Sequence, residues 1–240
     1  NIFFFCFSVC LFRNGSMHDM LPTPTVKNID YDEVYEPSED SFLLLDCFEK
    51  EKDYLQSKFK TVVPLVTEIG TGSGIVTTFV AKHIVPNGIF LTTDINPHAC
   101  ETVLQTVKHN NDIGSSNCLL DSTQMDLTSA IKEREVDLLI FNPPYVPSSE
   151  IPEIPRTNND PVWLDLALVG GEDGMVITWK VLNNLTNVLS KSGVAYILFC
   201  ARNKPETVTS IMQLKGWNVE VVINRKAGWE VLSVLKFTRI

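Results

Sequence analysis

The stretch of residues 136–145, Val-Asp-Leu-Leu-Ile-Phe-Asn-Pro-Pro-Tyr, constrains the fold more than any other part of this chain. Residues 138–141 form an unbroken apolar run, which predicts a short strand buried on both faces of a parallel sheet. Two prolines follow, and because proline cannot donate a ladder hydrogen bond the strand should end at Asn142. Ligands of open α/β sheets bind just beyond the carboxyl ends of strands, so we expect Asn142 to point into a site.

The polar groups after this strand suggest the kind of ligand. The amide oxygen of Asn142 and the carbonyl of Pro143 would offer two acceptors close together, and Tyr145 adds a flat face. Such a set suits a planar NH2 group, either a carboxamide or the amino group of a nucleobase. Catalysis on such a nitrogen would be positional and electrostatic, with no obvious need for a general base. An ordinary strand followed by a Pro-rich turn is the alternative at this point.

A second motif lies in residues 64–74, where the pattern predicts a strand, a glycine-rich turn and then a helix to about His83. The glycines follow the spacing Gly-x-Gly-x-Gly, at Gly70, Gly72 and Gly74. A nicotinamide-type motif would need glycine where Ile75 stands, and no Gly-Lys-Ser/Thr follows for a phosphate loop. Glycines allow close backbone approach and the helix N-terminus offers free N–H groups, so the pattern favours a nucleoside site over a purely structural turn.

Two acidic positions follow the next predicted strands. Asp94 closes a strand at residues 89–93 and stands near the spacing at which an acidic residue binds ribose hydroxyls. Asp126 and Leu127 follow a strand at residues 117–121, where a carboxylate can accept from an adenine amino group while leucine packs against the ring. Each position could merely begin a turn, but they occur in the right order at successive strand ends.

An N-terminal helix is predicted ahead of the sheet. Ser38, Glu39 and Asp40 form a helix start, and an apolar face follows at residues 42–45. The helix is expected to cap the sheet. It could also act as a lid, and the residues then expected to face a cofactor are Tyr35, Glu36 and Ser41.

The rest of the chain alternates helices and strands and closes on a hairpin-like strand pair at residues 217–223 and 231–237. This order predicts an α/β fold: a doubly wound, seven-stranded, mostly parallel sheet with one antiparallel strand near the C-terminus, placed at the sheet edge. Residues 146–174 are too long for a mere connection, and we expect them, with Arg156, to select the substrate. Residues 20–240 are expected to form one domain.

Composition narrows the function classes. The formal net charge of −9 argues against a surface that binds phosphate backbones, which favours protein or small-molecule substrates. Six scattered cysteines without Cys-x-x-Cys predict reduced thiols, and four scattered histidines predict no metal site. Residues 1–19 include an apolar run, and we expect them to be a disordered or artefactual extension before a true start at Met17 or Met20.

The quoted motifs, taken together, carry a resemblance. Glu68-Ile-Gly-Thr-Gly-Ser-Gly, Asp94, Asp126-Leu127 and Asn142-Pro-Pro-Tyr resemble the ordered motifs of class I S-adenosylmethionine-dependent methyltransferases of amino nitrogens. More narrowly, the chain from Met20 to Arg239 is similar to the eukaryotic HemK-like glutamine methyltransferases that act on class I translation release factors. The segments that carry this narrower match are Tyr35-Glu-Pro-Ser-Glu-Asp, Phe141-Asn-Pro-Pro-Tyr-Val-Pro, Trp163-Leu-Asp-Leu-Ala-Leu, Phe199-Cys-Ala-Arg-Asn-Lys-Pro and Leu232-Ser-Val-Leu-Lys-Phe-Thr-Arg.

The resemblance implies a role for each motif residue. Asn142 and Pro143 would hold the side-chain amide of the glutamine in a Gly-Gly-Gln segment, and Tyr145 would flank it. Methyl transfer would leave S-adenosylhomocysteine as product. The residues implied to line the S-adenosylmethionine site are Ser41, Glu68, Gly70, Gly72, Asp94, Asp126, Leu127 and Asn142.

The resemblance also implies a small zinc-binding activator subunit, with any zinc belonging to that partner. We hypothesise that it docks on the strand near Cys118, Leu119 and Leu120, which in this topology is a sheet edge. A cytoplasmic and also nuclear location is expected.

The rival activities are an adenine-N6 nucleic-acid methyltransferase and a protein lysine methyltransferase with the same Asn-Pro-Pro-Tyr site. A third alternative is a catalytically inactive cofactor-binding scaffold. Such a scaffold would be expected to have lost Asn142 or Asp94, and both are present.

Overall fold

A computed structural model describes residues 20–110, 119–158 and 160–240 of the chain. The expectations for residues 1–19, Asn117 and Cys118 lie outside the described residues. The strands are β1 (Leu65–Ile69), β2 (Ile89–Asp94), β3 (Leu119–Gln124), β4 (Val136–Phe141), β5 (Val146–Pro147), β6 (Val169–Gly171), β7 (Leu189–Cys200), β8 (Trp217–Ala227) and β9 (Glu230–Arg239). The α-helices are α1 (Glu39–Lys50), α2 (Lys52–Lys58), α3 (Ile75–Phe79), α4 (Pro97–Asn110), α5 (Val162–Leu166), α6 (Val176–Val188) and α7 (Pro205–Leu214).

Seven strands form the main sheet, in the order β3-β2-β1-β4-β7-β9-β8. β9 runs antiparallel to both β7 and β8, whereas the other pairings are parallel. The predicted fold class is therefore confirmed. The expectation that the reversed strand lies at the edge is wrong, because β8 covers β9. The burial pattern explains this order: consecutive residues 232–235 of β9 are buried, as two-sided cover requires, while β8 alternates with exposed side chains.

The sheet is buried on both faces, and β4 shows how the sequence achieves this. Leu138 and Ile140 point into one apolar cluster together with side chains of α1 and α3. Leu139 and Phe141 point into a second cluster with side chains of α6 and α7. Because side chains of a strand alternate between faces, an uninterrupted apolar run is the pattern that such two-sided burial requires.

Several boundaries differ from the sequence expectation. The helix after the glycine-rich turn begins at Ile75 as predicted, but its second half, Val80–Ile84, is a π-helix. The apolar pattern predicts a strand at residues 194–200, but β7 begins earlier, at Leu189, with a register shift against β4 between Val136 and Leu138. Sequence patterns also missed α2, α5 and the two-stranded β5–β6 sheet, which are all short.

Two further features concern membrane-spanning helices and cysteines. Within the described ranges, the helices are all too short or too polar to cross a membrane. The cysteines of the described ranges, Cys47, Cys100 and Cys200, are buried free thiols.

Candidate active site

A cavity of about 580 Å³ lies at the carboxyl ends of β1, β2 and β4. Its size is within the usual range for sites that hold a nucleoside-sized ligand. All of the predicted site residues line it: Ser41, Glu68, Gly70, Gly72, Asp94, Asp126, Leu127, Asn142, Pro143 and Tyr145. The individual roles given to these residues stay predictions. Tyr35 and Arg156 also line the cavity, whereas Glu36 is exposed and is not part of its wall.

The glycine-rich turn is held against the end of β1 by Glu68. This buried carboxylate accepts hydrogen bonds from the backbone N–H of Thr77 at 3.1 Å and from the hydroxyl of Thr71 at 3.3 Å, and the Thr77 hydroxyl donates to it as well. Burial raises the pKa of Glu68 to about 8, and these hydrogen bonds oppose that rise. Gly74 adopts a φ of +75°, and a Cβ there would lie 2.7 Å from Val103, so only glycine fits this turn.

Asp94 is oriented by backbone donors. One carboxylate oxygen accepts from the N–H of Gly72 at 3.1 Å and the other from the N–H of Asn96 at 2.9 Å. Burial raises the pKa of Asp94 to about 6 despite these bonds. Each carboxylate oxygen has a second lone pair, so the group can still accept from two hydroxyls of a sugar.

Asp126 and Leu127 lie at the next strand end. The backbone N–H of Met125 donates to the carbonyl of Asp94 at 2.9 Å, which places the segment beside the ribose-binding candidate. Leu127 has a φ of +52°, a left-handed conformation that is unfavourable for a residue with a branched side chain. Such strain persists where the surroundings fix it, and it occurs preferentially at functional sites.

Asn142 presents an acceptor to the cavity. Its side-chain nitrogen donates to a carboxylate oxygen of Asp40 at 3.0 Å. Because an ionised carboxylate can only accept, this contact fixes which end of the amide faces Asp40. The opposite end, the Asn142 Oδ1, is buried and has no hydrogen-bond partner within the described part of the chain. A buried acceptor without a partner is unfavourable, and a ligand N–H would satisfy it.

The backbone that carries Tyr145 packs against a second glycine-rich turn, at residues 170–174. A Cβ on Gly170 would lie 2.3 Å from the carbonyl oxygen of Pro144, and one on Gly174 would lie 2.0 Å from that of Tyr145. The side-chain nitrogen of buried Asn203 donates to the carbonyls of Tyr145 at 3.3 Å and Asp173 at 3.0 Å. The Asn-Pro-Pro-Tyr segment is therefore held on a rigid support.

Tyr145 itself is placed by its hydroxyl. The phenol oxygen donates to a carboxylate oxygen of Glu230 at 3.4 Å. Burial, together with the negative charges of Asp40 and Glu230, raises the pKa of Tyr145 well above its usual range. The side chain is therefore a neutral phenol that offers a ring face to the cavity.

Sequence reasoning missed three groups of this site. The sequence analysis gives Asp40 no role beyond a helix start, and it includes Gly170 and Gly174 only as members of the long segment 146–174. Asn203 lies in the Phe199-Cys-Ala-Arg-Asn-Lys-Pro segment that carries the resemblance, but its role had no local signal, since its contacts join residues 58 and 30 positions away. For Asp40 a signal did exist, because it is the last residue of the Tyr35-Glu-Pro-Ser-Glu-Asp segment that carries the resemblance.

Comparison with known proteins places the site in a class. Residues 39–153 match the model of the methyltransferase small domain. A solved complex of Mtq2 and Trm112 from E. cuniculi, described as responsible for methylation of the eRF1 translation termination factor, has a similar fold. Its TM-score is 0.59 at 22% identity, covering 87% of this chain and 99% of that one. The fold and the cavity at its strand ends are those of a class I methyltransferase, a class that uses a cofactor of the S-adenosylmethionine type.

Two curated relatives define the family. The eRF1 methyltransferase catalytic subunit mtq2 of Schizosaccharomyces pombe is 37% identical over 92% of this chain and 97% of its own length. The methyltransferase HEMK2 of Homo sapiens is 34% identical over 87% of this chain and 91% of its own length. The chain belongs to this family of methyltransferases, which confirms the resemblance found in its motifs.

Proposed function

We propose that the protein transfers a methyl group from S-adenosylmethionine to the side-chain amide nitrogen of the glutamine in the Gly-Gly-Gln motif of a class I translation release factor. The observation that carries the proposal is the buried, unpartnered Oδ1 of Asn142, held in that orientation by Asp40. A planar amide N–H is the complement of this acceptor. The names of the relatives, an eRF1 methyltransferase among them, support the same substrate.

The residues present fit the cofactor. Asp94 has two oriented oxygens for a ribose diol, and the open space at Gly72, where a Cβ would meet nothing within 4 Å, allows a ligand to approach the backbone. Asp126 and Leu127 would take the adenine. When bound, S-adenosylmethionine supplies a methyl group on a positively charged sulfur, which leaves as the neutral thioether S-adenosylhomocysteine.

The chain's own residues act on the glutamine amide. Asn142 Oδ1 and the carbonyl of Pro143 would accept its two N–H bonds and hold the nitrogen in a geometry that returns its lone pair to nitrogen. With the cofactor bound, that lone pair would form the bond to the methyl carbon as the carbon–sulfur bond breaks, and the nitrogen would then release one proton to solvent. Positive charge develops on nitrogen during the step, so acceptors backed by the Asp40 carboxylate stabilise the transition state more than the ground state.

The test is methyl transfer from labelled S-adenosylmethionine to a class I release factor, with a candidate activator present. Parallel reactions use the same factor with the Gly-Gly-Gln glutamine changed to arginine, and adenine-containing DNA. We expect label on the intact factor only, lost with Asn142→Ala and retained with Asn218→Ala, an exposed asparagine on β8. Label on DNA, or on the arginine-substituted factor, would refute the glutamine assignment.

The activator is a second element of the proposal. The solved relative forms a complex with Trm112, and we propose that a small zinc-binding activator subunit docks on β3 of this chain. Among the residues that the structure describes, β3 is the last strand on its side of the main sheet, and Leu119 at its start is 66% exposed. A partner strand could add to this edge and cover that side chain, while Leu120 is partly buried against the core.

Replacing Leu119 with lysine should abolish co-purification with the activator, because a charge would then be buried in the new interface. Leu214→Lys is the matched control, since Leu214 is 89% exposed at the end of α7. Binding of S-adenosylmethionine should persist in both variants. Co-purification that survives Leu119→Lys would place the activator elsewhere.

A further inference from the structure

The hairpin between β8 and β9 exposes a tryptophan. Trp229 is 102% exposed, more than any other large apolar side chain in the described ranges. Trp163 and Trp217 are only 3% exposed. A fully solvated indole is a common anchor of protein interfaces, because it offers a large rigid contact area at a low cost in conformational entropy.

The position of this hairpin relates Trp229 to the active site. Leu232 of β9 pairs with Cys200 at the carboxyl end of β7, so the hairpin tip lies at the same edge of the sheet as Asn142. The next residue, Glu230, accepts from the Tyr145 hydroxyl at 3.4 Å and from the guanidinium of Arg202 at 2.6 Å. These contacts hold the tip beside the tyrosine that flanks the proposed glutamine.

A segment that contributes to the cavity wall is acidic. Residues 146–174 contain six carboxylates and one arginine, a net charge of −5 out of −9 for the whole chain. Glu153 and Arg156 line the cavity, and the carbonyl of Asp173 accepts from Asn203, which also contacts the Tyr145 backbone. The acidic segment and the Trp229 hairpin are thus both joined to the Asn-Pro-Pro-Tyr segment.

We propose that Trp229 and the carboxylates of residues 146–158 and 160–174 form a docking surface for a basic segment of the protein substrate that lies next to its acceptor glutamine. The inference rests on the proposed function and extends it from the glutamine to its surroundings. A lysine or arginine side chain can place its aliphatic stem or its cation over the indole face while the carboxylates attract its charge. A small ligand that fills the cavity would not reach Trp229, whereas a folded protein that delivers a glutamine must cover the mouth.

The test is steady-state methylation of a full-length class I release factor by the complex with its activator. Trp229→Ala should raise KM for the factor about tenfold or more, as expected for an interface anchor, with kcat and the Kd of S-adenosylmethionine unchanged. Leu214→Ala is the matched control, because the Leu214 side chain is also highly exposed, at 89%, lies at the end of α7 and does not line the cavity. It should leave KM unchanged.

The acidic segment is tested by ionic strength. KM of the wild-type enzyme for the factor should rise with added salt, and the double substitution Glu172→Gln with Asp173→Asn should raise KM at low salt and flatten that dependence. An unchanged KM in Trp229→Ala, or an equal change in Leu214→Ala, would overturn the docking surface while leaving the glutamine reaction intact. No methylation of the factor by the wild-type enzyme would instead overturn the proposed function, and this inference with it.

Discussion

Replacing Asp40 with alanine should lower kcat for glutamine methylation about ten- to a hundredfold. The magnitude follows from one contact, the 3.0 Å hydrogen bond from the Asn142 side-chain nitrogen to the buried Asp40 carboxylate. A hydrogen bond to a charged group contributes about 1.5–3 kcal/mol, and each 1.36 kcal/mol corresponds to a tenfold change in rate. Without the carboxylate, the amide of Asn142 is free to turn its NH2 end toward the substrate, where it cannot accept.

The assay is single-turnover methylation of the release factor at saturating cofactor, with cofactor Kd measured separately because Asp40 also lines the cavity. Asp40→Asn keeps the shape and one acceptor oxygen, so its loss should be smaller than that of Asp40→Ala. Glu39→Ala is the matched control, since Glu39 lies in the same first turn of α1 and carries the same charge. It should leave kcat near the wild-type value.

A double-mutant cycle separates positioning from folding. If Asp40 acts through Asn142, then Asp40→Ala should cause no further loss of kcat once Asn142 is already alanine. A loss that is equally large in the Asn142→Ala background would refute the reasoning, and so would a wild-type kcat in Asp40→Ala. Thermal unfolding of each variant shows whether a lost rate reflects lost structure.

Two further predictions concern stability and the support of the site. The folded protein keeps a proton on Glu68 up to a pKa of about 8, against an ordinary value of 4.5, so the unfolded state loses that proton first. The free energy of unfolding, measured with denaturant in the absence of cofactor, should therefore fall as pH rises from about 4.5 to 8. Glu68→Gln should flatten this fall at pH values above the pKa of Asp94, which is near 6. A pH dependence that persists in the variant above pH 6 would contradict the assignment of this effect to Glu68. Gly174→Ala should lower kcat about a hundredfold, because a Cβ 2.0 Å from the Tyr145 carbonyl must displace the Asn-Pro-Pro-Tyr backbone. Gly216→Ala, with a similar positive φ but nothing within 4 Å, should cost stability only, and equal losses of kcat in both variants would refute the packing argument.

The sequence was sufficient to predict that the main sheet has seven strands and which motif residues line the cavity, and the reason is local. The apolar run at residues 138–141 predicts a strand, and Pro143 and Pro144 end it. Parallel strands bring their carboxyl ends to one edge of the sheet. Once Asn142, Asp94 and Gly70 each follow a strand, their meeting in one cavity is a consequence of topology. No knowledge of side-chain contacts is needed for that step.

The parts that could not be predicted depend on contacts between distant residues. Asp40 and Asn142 are 102 positions apart, and neither local pattern reveals that the carboxylate orients the amide. The predicted position of the reversed strand was wrong for a similar reason, because a hairpin can add to a sheet through either of its strands. Only the two-sided burial of β9, compared with the one-sided burial of β8, decides that β9 pairs with β7.

Most ionisable groups of the site are acidic, from the floor of the cavity to its mouth, and Arg156 and Lys180 are the basic residues of its described lining. Asp40, Glu68, Asp94 and Asp126 line the cavity, and six of the seven charged residues of segment 146–174 are acidic. Burial makes the ionised form of these groups costly: it raises the pKa of Asp94 to about 6 and that of Glu68 to about 8, so that Glu68 stays protonated up to that pH when no ligand is bound. A cationic sulfonium, a nitrogen that becomes positive during methyl transfer and a basic substrate segment would each recover part of that cost. An amide nitrogen is a weak nucleophile, and it needs no base before the methyl transfer. The catalysis that this chain can supply is therefore an electrostatic field that favours positive charge, together with two well-placed hydrogen-bond acceptors.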